Sequence, residues 1–179
     1  MQLHGGKTTE IAAISNNKAF ITACERNRIR IEKLKYNLQK QGATTVNIMA
    51  EDARNLSEFL KFDKILLDAP CSGSGTKNVF KDNFTKELIQ KTTKIQESLL
   101  KKAIQIVKPG GEIVYSTCSI LKEENENMIE KVLKNTNYSL IPVNLPNQIP
   151  TLPSRFDEVK TIAPNDLFEG FFIAKIRKN

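Results

Sequence analysis

Lys64-Ile65-Leu66-Leu67-Asp68-Ala69-Pro70-Cys71-Ser72-Gly73-Ser74-Gly75 is the stretch on which the reading of this chain turns. The apolar run Ile65–Leu67 reads as a buried strand that stops at Asp68. Pro70 cannot donate to a sheet ladder, and two glycines within the next five residues mark a tight, exposed turn. In an open α/β sheet, ligands bind just beyond the carboxyl ends of the strands. A carboxylate and a thiol are therefore delivered to the same edge within four residues. Glu112-Ile113-Val114-Tyr115-Ser116-Thr117-Cys118-Ser119 repeats the design, with another strand ending in a cysteine.

Strand and helix alternate on both sides of this pair. Gly5-Gly6-Lys7-Thr8-Thr9 opens a helix carrying Ile11, Ala12 and Ile14. A strand over 18–24 ends at Glu25, and a basic helix over 26–41 turns Ile29, Leu34 and Leu38 to one side and stops at Gly42. Next come a strand over 45–49, the acidic pair Glu51-Asp52, and a short helix whose apolar residues are Leu56, Phe59 and Leu60. A long helix over 85–107 places Leu88, Ile95, Leu99, Ala103 and Ile106 at helical spacing, and Pro109-Gly110-Gly111 turns it into the Cys118 strand. The helix over 122–135 carries Glu123, Glu124 and Glu126 in its first turns, where the helix dipole favours acids, with Met128, Ile129, Val132 and Leu133 facing inward. Segments 159–163 and 171–176 close the sheet as an antiparallel pair. The pattern predicts an α/β fold with a mostly parallel, doubly wound, Rossmann-like sheet.

The totals narrow the class. With 179 residues, 40% of them hydrophobic, the chain is long enough for one domain with its own core. No apolar run approaches the length of a membrane span, and the N-terminus lacks the apolar stretch of a signal peptide, so a cytoplasmic location is expected. Three cysteines are an odd number and argue against a disulfide framework. A net charge of +7 and a pI near 9.3 suit a polyanionic partner.

Three nucleotide sites compete for the sheet edge. A dinucleotide site needs G-x-G-x-x-G, and only Gly5-Gly6 is present. A P-loop NTPase is imitated by Gly6-Lys7-Thr8 and by the Ile65–Asp68 strand, but the first loop glycine would fall on Met1, and both tip cysteines would go unused. The third ligand is S-adenosyl-L-methionine. Gly6 to Glu25 is nineteen residues, the distance across one helix and one strand to an acid that grips ribose hydroxyls. Asp52, one strand further on, is placed for the adenine amine.

Two thiols near a methyl donor fit one hard reaction. Carbon 5 of a pyrimidine is a poor nucleophile until a thiolate adds to carbon 6, and a base must then remove the carbon-5 proton so that the thiol can leave. The target base must lie outside any stack, in single-stranded or flipped form. Cys24, inside a strand, reads instead as a core thiol.

Asp68-Ala69-Pro70-Cys71-Ser72-Gly73 and Ser116-Thr117-Cys118-Ser119 resemble two signature motifs of the RsmB/Nop/Sun family of RNA (cytosine-5) methyltransferases. Gly5-Gly6-Lys7-Thr8 resembles the family's first cofactor motif, and Phe168-Glu169-Gly170-Phe171-Phe172-Ile173-Ala174-Lys175 its C-terminal strand. The resemblance implies Cys118 as the nucleophile and Cys71 as the residue serving product release. It places Gly5, Gly6, Lys7, Thr8, Glu25, Asp52 and Asp68 at the cofactor, with Asp68 also touching the target base. The substrate implied is ribosomal or transfer RNA. No metal is expected, and the oligomeric state is open.

Where the family reads Ala-Ala-Pro ahead of its first motif, this chain has Gln2-Leu3-His4. The expectation is therefore one catalytic domain over 1–179 without the strand that precedes that motif. The competing reading is a non-catalytic remnant that binds RNA weakly through Arg26, Arg28, Arg30, Lys33 and Lys35.

Overall fold

The computed structural model describes residues 6–76, 85–134 and 136–179. They form two compact units, Met1–Leu56 and Ser57–Asn179. Gly5 lies outside the described residues.

The first unit runs α1 (Gly6–Ile14), β1 (Ile21–Cys24), α2 (Arg28–Lys40), β2 (Val46–Met49) and a 3₁₀ turn at Ala53–Asn55. The crossover through α2 makes β1 and β2 parallel, in the register Ile21↔Val46 to Cys24↔Met49. Asn27 caps α2, its side chain accepting from the Arg30 amide at 3.1 Å. Ile31, Leu34 and Leu38 form the buried stripe of α2 at the i, i+3, i+7 spacing, whereas Ile29 is 70% exposed. The expected inward position of Ile29 is thus wrong by half a turn. Phe59, expected on a short helix, is 95% exposed, and only Leu56 of that group is buried.

The second unit runs β3 (Phe62–Asp68), α3 (Lys86–Ile106), β4 (Val107–Thr117), α4 (Glu126–Leu133), β5 (Tyr138–Ile141), β6 (Thr151–Leu152), β7 (Lys160–Ile162) and β8 (Phe171–Lys178). Its six-stranded sheet has the order β3-β4-β8-β7-β6, with β5 also on β8. The β3/β4 pair is parallel, and β8 runs antiparallel to β4, β5 and β7. The expected antiparallel closure by β7 and β8 is observed. The architecture is α/β and Rossmann-like, with parallel strands in the N-terminal half and antiparallel pairing gathered at the C-terminal end.

Successive side chains of β3 point to opposite faces of the sheet, so its run is not uniformly buried. Ile65 and Leu67 pack on the core, whereas Leu66 is 41% exposed. The core is built on Leu100, Val107, Ile113, Tyr115, Ile129, Phe172, Ala174 and Ile176. Tyr115 and Phe172 meet edge to face at a centroid distance of 6.2 Å. Pairing of β4 with β3 begins at Val107, is interrupted at Lys108–Gly111, and resumes at Glu112. Gly110 takes φ +73° in that interruption, a conformation glycine adopts without a Cβ penalty. The buried stripe of α3 is Thr92, Gln96, Leu100, Ala103 and Ile106; Ala103 and Ile106 face inward as expected, whereas Leu88, Ile95 and Leu99 are only partly buried.

Candidate active site

The parallel register of β3 on β4 sets Asp68 opposite Ser116. Continuing three residues past Asp68 and two past Ser116 brings Cys71 and Cys118 together, with their sulfurs 3.0 Å apart. Both are free, partly buried thiols. At this separation one sulfur donates its proton to the other. The hydrogen bond from Cys71 lowers the Cys118 pKa from the ordinary thiol range, against opposing effects of burial and of the Asp68 and Glu124 charges. Cys71 is pushed far up, first by its bond to Cys118 and then by burial. The shared hydrogen bond thus tips the pair toward ionisation at Cys118, with the proton retained on Cys71 when one of the two thiols ionises.

Each cysteine sits in a turn fixed by polar contacts from behind. Asp68 accepts from the Ser116 hydroxyl at 3.2 Å, and the Ala69 amide donates to the Ser116 carbonyl at 2.9 Å. Gln96 of α3 donates to the Pro70 carbonyl at 2.8 Å. Gly73 supplies the positive φ, +74°, that reverses the Cys71 loop. The Gly75 amide then donates to the Cys118 carbonyl at 3.0 Å, tying one cysteine turn to the other. Ser74 and Ser119 hydroxyls meet at 2.8 Å. On the Cys118 side, Thr117 donates to Asn125 Oδ1 at 2.7 Å, and Asn125 Nδ2 donates to the Ser119 carbonyl at 2.8 Å.

Gly75 has no room for a side chain. A Cβ there would stand 2.7 Å from the Gly170 carbonyl carbon and 2.8 Å from its Cα, across the Gly170 N–H to Gly75 O hydrogen bond. Backbone cannot rotate aside as a flexible side chain would. Gly75→Ala is expected to cost about 1–3 kcal/mol, read as a lower urea midpoint with an unchanged slope. An unchanged midpoint would show that the two backbones separate freely.

In the first unit, the acids stand at the strand ends as expected. Glu25 follows β1, its amide bonded to the Met49 carbonyl at 3.1 Å. Its Oε1 accepts from the Asn27 amide at 2.8 Å, and Oε2 stands 3.8 Å from Arg30, leaving the carboxylate acceptor capacity for a diol. Gly6, Lys7 and Thr8 form the first turn of α1, with the Thr9 hydroxyl bonded to the Gly6 carbonyl at 2.9 Å. Cys24, expected in the core, is only partly buried at the end of β1; it donates to the Glu51 carbonyl at 3.1 Å, and burial raises its pKa.

Asp52 is more committed than its position alone implied. Oδ1 accepts from the Arg54 amide and Nε at 3.0 and 2.9 Å. Oδ2 accepts from the Arg54 guanidinium at 2.6 Å and from Arg26 at 2.9 Å. Those four donors use the lone pairs of the carboxylate, so an adenine amine would displace one arginine contact. The Arg54 hydrogen bond holds the Asp52 carboxyl well below the usual carboxylate range. A pKa lower in the folded than in the unfolded chain adds stability above the unfolded value of about 3.9, lost as pH falls through the folded pKa. Arg54→Ala is therefore expected to lower the urea midpoint at neutral pH, the gap from the parent shrinking in acid. A gap independent of pH would rule this out.

Sequence reading missed Glu124, Asn125, Thr92 and Gln96 as parts of the site. Glu124, expected on a solvated first turn, is fully buried ahead of α4. The available signal was on α3: Thr92 and Gln96 fall on the same stripe as Leu100 and Ala103, four residues apart, and polar residues in phase with a core face need partners. Among the described residues, no cluster of three or more His, Cys, Asp or Glu is arranged for a metal ion. Among them, too, no helix is long and apolar enough to cross a membrane.

The sequence profile of the 16S rRNA methyltransferase RsmB/F family matches residues 3–177. The Aeromonas salmonicida ribosomal RNA small subunit methyltransferase F is 35% identical over 193 residues, covering 98% of this chain and 38% of that protein. The Pyrococcus horikoshii tRNA (cytosine(72)-C(5))-methyltransferase is 36% identical over 180 residues, covering 97% of this chain and 44% of that protein. The crystal structure of NSun6 from Pyrococcus horikoshii with SFG superposes with a TM-score of 0.88 at 34% identity, covering 97% of this chain and 45% of that one. The chain thus spans about two fifths of the length of the curated relatives it matches.

Proposed function

The chain belongs to the RsmB/F methyltransferase family, and on that premise we propose that it carries the catalytic machinery for methylating carbon 5 of cytosine in RNA. The observation that carries this reading is the 3.0 Å approach of Cys71 and Cys118 at the tips of adjacent parallel strands. The named activities of the two relatives, on ribosomal and on transfer RNA, support the substrate class. The profile extends over 3–177, which supports reading both units as parts of one catalytic domain, and the ribosomal RNA relative supports action in the cytoplasm.

Bound S-adenosyl-L-methionine would supply an electrophilic methyl group on its sulfonium sulfur. Glu25 has acceptor capacity for the ribose hydroxyls, and the family resemblance supports Gly5, Gly6, Lys7, Thr8, Asp52 and Asp68 as further cofactor contacts. Cys118, the member of the pair whose ionisation the Cys71 hydrogen bond favours, adds as thiolate to carbon 6 of cytosine, and its electron pair makes carbon 5 nucleophilic. Once Cys118 is bonded to carbon, it no longer presents the negative charge that keeps the proton on Cys71. Cys71 can then lose its proton to solvent and remove the carbon-5 proton after methylation. The electrons of that C–H bond restore the ring double bond as the C–S bond breaks, and Cys118 leaves as thiolate.

RNA containing 5-fluorocytosine tests the reading. Fluorine at carbon 5 does not depart as a proton does, so an attacking thiol stays attached. A denaturation-resistant, S-adenosylmethionine-dependent adduct mapped to Cys118 is the expected result. Its absence, both from this chain and from the same chain extended to the length of its relatives, would overturn the reading.

A further inference from the structure

Behind the two cysteines lies a buried carboxylate to which the reaction assigns no role. Glu124 has no exposed surface, yet its donors among the described residues are all neutral. Oε1 accepts from the Ser72 amide at 2.8 Å and from the Thr92 hydroxyl at 2.6 Å. Oε2 accepts from the Ser72 hydroxyl at 2.6 Å. The backbone on either side is held as well: the Glu124 carbonyl accepts from the Tyr115 hydroxyl at 2.7 Å, and the next residue, Asn125, bonds the Cys118 turn on both sides.

Burying a carboxylate without a cation is costly, and a core that needed only filling would be better served by an apolar side chain. A carboxylate does offer what this loop requires. It is all acceptor, and its two oxygens grip one residue at two points, the amide and the hydroxyl of Ser72. Ser72 adjoins Cys71, and Thr92 belongs to α3, whose Gln96 one turn later holds the Pro70 carbonyl. Residues 70 and 72, flanking Cys71, are therefore both anchored to the helix behind them.

We propose that Glu124 is a positioning residue for the two-cysteine site: by clamping Ser72 to Thr92 it fixes the Cys71 loop so that the Cys71 sulfur stays within hydrogen-bond reach of Cys118. This deepens the methyltransferase reading and rests on it for its consequence in catalysis. The clamp itself is a property of the folded chain, with or without RNA.

Among the described residues, the titratable groups around the pair are Asp68, Glu124 and Tyr115, and they give the test its sign. The Glu124 charge disfavours a thiolate at Cys118, so removing that charge alone lowers the Cys118 titration midpoint. Losing the Cys71 hydrogen bond raises it. Glutamine keeps the clamp without the charge, since Oε1 can accept from Ser72 N–H and Thr92 while Nε2 donates to the Ser72 hydroxyl. Alanine loses both.

The experiment is iodoacetamide alkylation across pH, resolved to Cys118 by peptide mass spectrometry, on the parent, Glu124→Gln, Glu124→Ala and Cys71→Ala. The midpoint is expected to rise by about one pH unit in Glu124→Ala and Cys71→Ala and to stay or fall in Glu124→Gln. A fall in Glu124→Ala, or identical midpoints in the two Glu124 variants, overturns the proposal. Should Glu124→Ala fail to fold, Ser72→Ala removes the hydroxyl half of the clamp. A smaller rise is then expected, and no rise overturns the proposal. On RNA with ordinary cytosine, Glu124→Ala should retain the covalent adduct several-fold more than Glu124→Gln. Alkylation needs neither RNA nor cofactor, so variants that give the expected midpoints, while neither this chain nor its extended form gives a fluorocytosine adduct, refute the enzymatic reading and uphold the clamp.

Discussion

Cys118→Ala is expected to abolish methyl transfer, lowering the rate by about 10³-fold or more, while the protein remains folded. The alanine leaves no group able to add to carbon 6, and without that addition carbon 5 is not nucleophilic enough to take the methyl group. A factor of about 10³ corresponds to roughly 4 kcal/mol of lost transition-state stabilisation. The substituted side chain is partly exposed and belongs to no core contact, so stability should change by less than about 1 kcal/mol. Methyl transfer into cytosine-containing RNA and the fluorocytosine adduct should vanish together. A variant that keeps the adduct would transfer the nucleophile's role to Cys71, the only other sulfur at the junction of β3 and β4 among the described residues.

Cys71→Ala is expected to fail differently. Addition and methyl transfer proceed, but nothing stands beside the product to take the carbon-5 proton, so the RNA stays bonded to Cys118. On ordinary cytosine, where the parent releases its product, the variant should retain a denaturation-resistant adduct and turn over about 10²-fold more slowly or worse. Its pH profile should shift as well. The Cys118 thiolate loses the hydrogen bond that lowers its pKa, and the Asp68 and Glu124 charges that disfavour it remain. The acid limb of the addition step therefore moves to higher pH, and a rapid-quench measurement of adduct formation against pH will show it. An unshifted limb would mean that the 3.0 Å contact contributes nothing to thiolate formation.

These signatures distinguish the two thiols because one hydrogen bond gives them opposite tendencies. The same bond accounts for the arrangement behind it. Gln96, Thr92, Glu124 and Asn125 use otherwise costly buried polar groups to hold two turns whose sulfurs must not drift apart. In the first unit, Asp52 is similarly pre-engaged by Arg54 and Arg26, whereas Glu25 retains acceptor capacity. Cofactor entry would therefore rearrange the Asp52 side more than the Glu25 side.

Most of this layout was legible in the chain because its determinants are local. Strand runs ending at Asp68 and at the Cys118 tip, the proline and glycines that follow Asp68, and acids one to three residues past a strand are short-range patterns, and short-range sterics enforce them. Even so, an alternation of apolar residues does not say which neighbour lies inward: α2 buries Ile31 rather than Ile29, and in β3 Leu66 points to the face opposite the core on which Ile65 and Leu67 pack. The sequence by itself determined the order of the elements and the two cysteine turns. Only the tertiary structure decided that sulfurs 47 residues apart would meet at 3.0 Å, because that distance follows from the register of β3 on β4. It alone placed Glu124 as well. An acid at a helix start reads as a solvated residue until the packing of α3 and the Cys71 loop closes over it, and burial is a property of the assembled layers rather than of any one segment.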